Sequence, residues 1–216
     1  MKRILWFPLL EGCLYLAFLS LDLFLPGSGW DISLKYLSIL LCFCFVLGNG
    51  EGRDSLLMKT ALGFTLLADL FLLVLDRWYL IGVACFCVVQ LLYLTRIAKL
   101  RPEKLPLRLT LRGLLVVAAL ITAWRLGALD GLTALSLFYF SQLICNALES
   151  LSLGIPFRGF SLGLFLFLGC DLCVGLQNLS AWFPAASGPL VEFARVGMWL
   201  FYLPSQVLIS LSVKRK

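Results

Sequence analysis

Apolar runs long enough to cross a bilayer recur along the chain, separated by short polar breaks rich in Gly and Pro. A run of about 20 predominantly apolar residues predicts a membrane-spanning helix. Eight such runs occur, at roughly 4–25, 32–48, 55–75, 78–98, 107–125, 130–149, 157–177 and 190–212. The breaks are Pro26 to Gly29, Gly48 to Gly52, Asp76-Arg77, a longer polar run from Arg96 to Arg112, Leu126 to Asp130, Gly154 to Gly159, and Asn178 to Gly188. Gly and Pro mark turns because they permit or force non-helical backbone. Connections this short make consecutive helices antiparallel neighbours. The pattern predicts one all-α transmembrane domain over residues 1–216, a polytopic membrane helix bundle of about eight helices.

Composition strengthens that expectation. Of 216 residues, 61% are hydrophobic and 14% charged, and the mean hydropathy is +0.98. A soluble domain is about 45–50% apolar and about 25% charged, so a water-soluble globule, a nucleic-acid-binding arm and a disordered tail are excluded. Lys2 and Arg3 precede the first apolar run as in a signal peptide. That run, however, contains Glu11, ends near Pro26 and lacks a small-residue cleavage site, so it predicts a retained first helix.

Charge sets the expected orientation. The formal charge is +6. With the N-terminus inside, 14 of the 18 basic residues fall on the inner side: Lys2, Arg3, Arg53, Lys59, Arg96, Lys99, Arg101, Lys104, Arg108, Arg112, Arg158, Lys214, Arg215 and Lys216. Lys35, Arg77, Arg125 and Arg195 fall outside. The asymmetry predicts both termini in the cytoplasm and an even number of spans. The basic patch between the fourth and fifth helices reads as a topology determinant, with a lipid-headgroup site as the alternative. Compact loops suit a bacterial inner membrane.

His is absent, which removes the Ser-His-Asp triad, His-ligated zinc and His proton shuttles. The eight Cys include Cys42-x-Cys44, Cys85-x-Cys87 and Cys170-x-x-Cys173. They lie in apolar runs, where a thiol stays protonated and serves as a small filler. No metal site and no cofactor are expected.

Charges in hydrocarbon need a reason, and two stand out. Asp69 and Asp171 each lie roughly 14 residues into a helix that runs from inside to outside, about 21 Å from the inner end. They share one depth in the outer half of the bilayer, and Asp76 and Asn178 follow seven residues later on the same faces. Small residues precede both, at Gly63 and at Gly163 and Gly169, where helices can approach closely. The next helices carry Gln90 with Tyr93, and Tyr202 with Gln206, each pair on one helix face. A weak internal repeat results: an Asp helix followed by a Gln–Tyr helix, twice. Pro204 predicts a freed carbonyl near Leu200. Lys35, just inside the outer end of the second helix, has three readings: it snorkels to the surface, pairs with an Asp, or meets a phosphate. The alternative for both Asp residues is a hydrogen-bonded staple between helices, and for Gln90 and Gln206 interhelical glue. Glu11 and Glu149 lie nearer the inner face, and Glu192 with Arg195 read as a local pair.

Gly-Phe-x-x-x-Ala-Asp-x-x-Leu at 63–72, followed after a turn by Gly-x-x-x-Phe and then Gln90-x-x-Tyr93, resembles the third and fourth helices of the YhhN-like family of lysoplasmalogenase-type membrane hydrolases. Phe167-Leu-Gly-Cys-Asp-Leu172 is similar to that family's later Ser/Gly-Asp helix, and Tyr202-x-Pro-x-Gln-Val-Leu-Ile209 to its closing run. Lys35 falls where the family usually has a Lys. The chain departs from the family pattern at Gln90, where a His is usual, at Tyr36, where a Pro usually follows the Lys, and at Ala68, where a Gly is common. Gln90 can hydrogen-bond but cannot titrate.

The resemblance implies hydrolysis of the vinyl ether of a lysoplasmalogen, giving a fatty aldehyde and a glycerophospho-base. Such hydrolysis begins with protonation of an alkene carbon and passes through an oxocarbenium ion. One carboxylic acid and one carboxylate suit it, as in glycosidases. The expected catalytic residues are Asp69 and Asp171. Lys35, Gln90, Tyr93, Tyr202 and Gln206 are the expected substrate-binding residues. The expected partners are a lysophospholipid-like substrate and membrane lipid, with no nucleic acid. The alternatives are a small-molecule or lipid transporter, because paired repeats with polar groups near mid-membrane also describe transporters, or a family member without catalytic activity.

Overall fold

The computed structural model describes residues 6–24, 29–182 and 188–213. Lys2, Arg3, Lys214, Arg215 and Lys216, the break at 26–28 and part of the break before Gly188 lie outside the described residues. The helices are α1 (Trp6–Phe24), α2 (Trp30–Gly48), α3 (Gly52–Asp69), α4 (Tyr79–Leu100), α5 (Leu105–Arg125), α6 (Gly131–Ser150), α7 (Arg158–Trp182) and α8 (Pro189–Leu211). No strand occurs among the described residues. The stretches containing α1 to α7 are each long and apolar enough to cross a membrane, so the protein is an integral multi-pass membrane protein.

The eighth helix is more polar. Its first turns carry an ion pair between Glu192 and Arg195 at 3.4 Å, and its second half carries buried Ser205, Gln206 and Ser210. It nevertheless runs antiparallel along the length of α7. A Cβ at Gly163 would meet Ile209, one at Gly169 would meet Phe201, and one at Gly197 would meet Cys173. Residue numbers fall on one helix as they rise on the other. At Gly163 the contacts include backbone, Ser205 O at 3.1 Å and Ile209 N at 3.2 Å, so the missing side chain is what lets the two helices touch.

The turns sort into two faces. The near face holds the α2–α3, α4–α5 and α6–α7 turns and the end of α8. There Arg96 donates to both carboxylate oxygens of Asp54 at 2.8 Å and to Ser212 Oγ at 2.7 Å. The far face holds the α3–α4 and α5–α6 turns. At the latter, Asp130 caps α6 by accepting from the Thr133 N–H at 2.7 Å.

One expectation is corrected. The long polar break from Arg96 to Arg112 is a turn of residues 101–104 only, since α4 runs to Leu100 and α5 starts at Leu105. Arg96 and Arg112 are 1% and 3% exposed: Arg96 is held by the part-exposed Asp54 and by Ser212, and Arg112 by Glu149 and two buried amides. The third helix is also not regular throughout. It passes into a π-helical stretch, Leu70–Val74, directly after Asp69. There the Leu75 N–H donates to Leu70 O at 2.9 Å. Such bulges re-aim side chains and recur at functional sites. Here the wide turn is packed by α4, where a Cβ at Gly82 would fall 2.5 Å from Leu72 Cγ.

Candidate functional site

A cavity of about 1010 Å3 lies in the far half of the bundle. It is walled by α3 with its π-helical end, α4, α6, α7 and α8. Asp76, Tyr79, Leu132 and Asn178 line it at the helix ends, so it opens at the far face. Its volume stands at the upper end of the range for small-molecule sites. Most of the lining is aliphatic or aromatic.

Asp69 and Asp171 both line this cavity. They come from helices that do not pack on each other, and the tyrosines of two further helices hold them in place. Tyr202 of α8 donates a 2.7 Å hydrogen bond to Asp69 Oδ2. Tyr139 of α6 interacts with Asp171 in a looser contact, in which neither the Tyr139 hydroxyl nor Asp171 Oδ2 closes a hydrogen bond. An aromatic chain joins the two pairs. Tyr139 and Phe167 have centroids 6.4 Å apart, and Phe167 and Tyr202 lie 5.5 Å apart, edge-on. Trp199 adds a further edge contact to Tyr202 at 5.6 Å. Edge-to-face rings at these separations hold one another in fixed orientation. Each Asp–Tyr pair is therefore set by a packed wall.

Asp76 and Asn178, seven residues beyond the two Asp, line the same cavity nearer its mouth. Asp76 Oδ1 accepts from the Tyr79 hydroxyl at 2.6 Å. This turn carries two non-glycine residues in the left-handed region, Asp76 at φ 46 and Trp78 at φ 56. The second is a strained conformation for a bulky side chain. The described lining contains three carboxylates, Asp69, Asp76 and Asp171, and neither Lys nor Arg.

The other expected site residues lie elsewhere. Lys35 is 5% exposed and pairs with Asp22 at 2.7 Å and Asp31 at 3.0 Å. Its ammonium also lies 4.9 Å from the Trp199 ring centroid. It touches the cavity only through that ring. Gln90 and Tyr93 do not line the cavity. Tyr93 stacks edge-on with Phe160 at 5.5 Å, whereas Phe86 of the same helix meets Phe167 at 5.6 Å. Seven residues separate each pair of levels, so Tyr93 lies about 10 Å deeper than the Asp-bearing layer. The i, i+3 spacing fixed the face of α4 but not the depth. Gln206 is fully buried in α8, one turn below Tyr202 and outside the lining.

Gln90 belongs to a second polar cluster. Asn146 Nδ2 donates to Gln90 Oε1 at 2.9 Å. Asn146 Oδ1 in turn accepts from Arg112 Nη2 at 2.9 Å. Arg112 also donates to Gln142 and to Glu149, both at 2.9 Å. Arg112, Asn146 and Tyr139 escaped the sequence reading. Arg112 looked like a loop cation. Tyr139 sits in an unbroken Phe-Tyr-Phe run whose periodicity carries no mark of its role. One signal did exist for Glu149: a carboxylate near the end of a membrane helix calls for a cation at the same depth.

All eight cysteines are free. Cys170 and Cys173 are buried beside Asp171, and Cys173 packs against Gly197.

Neither curated proteins nor solved structures gave a match to this chain. The YhhN family model matches residues 30–213, which take in both Asp-bearing helices and all five walls of the cavity, and the chain belongs to the YhhN family.

Proposed function

We propose that this protein is an integral membrane hydrolase of the lysoplasmalogenase type, cleaving the vinyl ether of a single-chain ether lipid with Asp69 and Asp171. One observation carries the reading: two carboxylates from separate helices, each beside a Tyr hydroxyl, line one largely apolar cavity.

The chemistry balances on these groups. One carboxylic acid gives its proton to the alkene carbon distal to the ether oxygen. The proximal carbon becomes an oxocarbenium ion, stabilised by the negative charge of the other carboxylate. Water adds to that carbon and gives up a proton to a carboxylate. The resulting hemiacetal breaks its C–O bond to the headgroup, leaving a fatty aldehyde and an alcohol. One water is consumed, and both carboxyl groups return to their starting states. Tyr202 and Tyr139 fix the carboxyl orientations and place hydroxyls beside the reacting centre, as general acid–base geometry requires. Gln90, in place of the family's usual His, lies in the Arg112 cluster, so the cavity does not lose a titrating group through that change.

The basic asymmetry between the faces supports placing the near face in the cytoplasm and the cavity mouth on the opposite side. In a bacterium this would be the inner membrane.

The test is aldehyde release from a vinyl-ether lysophospholipid by purified protein, with Asp69→Asn and Asp171→Asn compared to wild type. Each variant is expected to lose at least 100-fold in kcat while eluting as the native species. Undiminished turnover in both would sink the assignment. Proton-coupled solute flux in liposomes, without aldehyde release, would favour a transporter.

A further inference from the structure

The cavity is closed differently on its several sides. In its far half α6 packs on α4: the Cys87 thiol lies 3.8 Å from Leu135 O, and Phe86 and Tyr139 have centroids 5.6 Å apart. The far half of α7 packs instead on α8, through Gly169 against Phe201 and Cys173 against Gly197. The two helices meet toward the near face, where Ser161 Oγ donates to Ser150 O at 2.8 Å. Further out they meet at the Tyr139–Phe167 ring pair and at the looser Tyr139–Asp171 contact. Beyond these, Leu132, Ser136 and Leu137 of α6 and Leu172 and Leu176 of α7 all line the cavity. Leu172 is also 53% exposed. An apolar cavity-lining residue this exposed, level with the apolar belt, points to a side opening in the wall there. The polar end of the cavity is set apart from it, at Asp76, Tyr79 and Asn178 in the far-face mouth.

We propose that a single-chain amphiphile enters sideways from the far leaflet, its tail passing between α6 and α7 and its head staying at Asp76 and Asn178, with heads of net negative charge disfavoured. The apolar lips match a hydrocarbon chain, and the surrounding lipid supplies it directly. The charge preference follows from a lining with three carboxylates and no described cation, which repels a net anion and draws a cationic or zwitterionic head whose positive end lies outermost. This rests on the hydrolase reading for the substrate class, but the route and the charge preference are tested separately from turnover.

The probe is a lysophosphatidylcholine with a diazirine in its chain, irradiated with the full-length protein in vesicles and mapped by peptide mass spectrometry. Labelling is expected on α6 and α7 around Leu137 and Leu172, falling at least tenfold in Leu172→Trp and staying unchanged in Leu162→Trp, whose exposed side chain lies in the near half of α7. The matching diazirine probe with a phosphate-monoester head should label at least tenfold less, and Asp76→Asn should narrow that gap. Labelling confined to other lipid-facing helices, or undiminished in Leu172→Trp, overturns the side entry. Equal labelling by the two probes overturns the charge preference. Because no arm reads aldehyde, a protein that labels as expected but never turns over would refute the hydrolase and leave the route standing.

Discussion

Tyr202 on α8 donates a 2.7 Å hydrogen bond to Asp69 on α3, across 133 residues of sequence. The contact joins two helices that otherwise scarcely touch at this level, and it leaves Asp69 Oδ1 free to face the cavity. A hydrogen bond to a charged or reacting carboxyl contributes about 1.5–3 kcal/mol, which corresponds to about 10- to 100-fold in rate. Tyr202→Phe is therefore expected to lower kcat for aldehyde release by that factor without loss of folded protein. Tyr139→Phe is expected to cost less, because the Tyr139 contact with Asp171 is looser. Steady-state kinetics on both variants check the order, and equal rates for Tyr202→Phe and wild type would remove this bond from the mechanism.

The close approach of α7 and α8 at Gly163 gives a stability prediction. A methyl group there would fall 2.8 Å from Ile209 Cγ1 and 3.1 Å from Ser205 O. The side chain can turn away, but the backbone cannot. Overpacking of this kind costs about 1–3 kcal/mol. Gly163→Ala is expected to lower the midpoint of thermal unfolding in detergent. Gly159→Ala, four residues earlier on the same helix and with nothing within 4 Å of its added methyl, is expected to leave it unchanged or raise it, since Ala favours helix over Gly.

Much of the fold and half of the site were legible in the sequence, for reasons that differ by residue. Apolar run length located every helix because a bilayer demands it. Equal depth put Asp69 and Asp171 in one layer because helix rise is fixed. Pattern alone could not rank partners. Tyr93 and Tyr202 look alike as Gln–Tyr neighbours, yet only Tyr202 reaches an Asp, because face and depth are independent coordinates. The π-helical stretch Leu70–Val74 was invisible, since the run is apolar throughout and carries no residue that marks where the wide turn falls. Arg96 and Arg112 fell both inside the expected spans 78–98 and 107–125 and at the bounds of the polar run between them, because a charge count does not tell a solvated cation from one held by a carboxylate.

Arg112 carries the next expectation. Its guanidinium is 3% exposed and fills three directions at once, toward Glu149, Gln142 and Asn146. It is the main polar tie between α5, otherwise a lipid-facing helix, and the rest of the bundle. Glu149 keeps a second cation, Arg108 at 3.0 Å, so losing Arg112 chiefly leaves the Gln142 and Asn146 carbonyl oxygens without their donor, at a cost of about 1–3 kcal/mol for a buried polar group so stranded. Arg112→Met is expected to destabilise by that amount in denaturant or thermal titration. Arg112→Lys should recover little, because an ammonium cannot present the planar fork that three partners need. Glu149→Gln should cost less in an Arg112→Met background than alone, because its bond to Arg112 is already gone while its pair with Arg108 at 3.0 Å is lost in both. Additive losses would show that the two residues act independently.

Pro204 lies inside α8 and has no N–H to give to the carbonyl four residues earlier, Leu200. The structure supplies a substitute from another helix: the Tyr15 hydroxyl of α1 donates to Leu200 O at 3.1 Å. α1 packs on α8 only lightly, so this bond is a specific tie between the first and last helices. Tyr15→Phe leaves a carbonyl unpartnered in an apolar setting, which costs about 1–3 kcal/mol. In a Pro204→Ala background the backbone N–H restored at that position can close the ordinary helical bond to Leu200 O, so the same Tyr15→Phe change should then cost only a few tenths of that. A double-mutant cycle on thermal unfolding measures the difference. A coupling energy near zero would mean that Tyr15 does not stand in for the missing N–H of Pro204, and that the 3.1 Å contact contributes through packing alone.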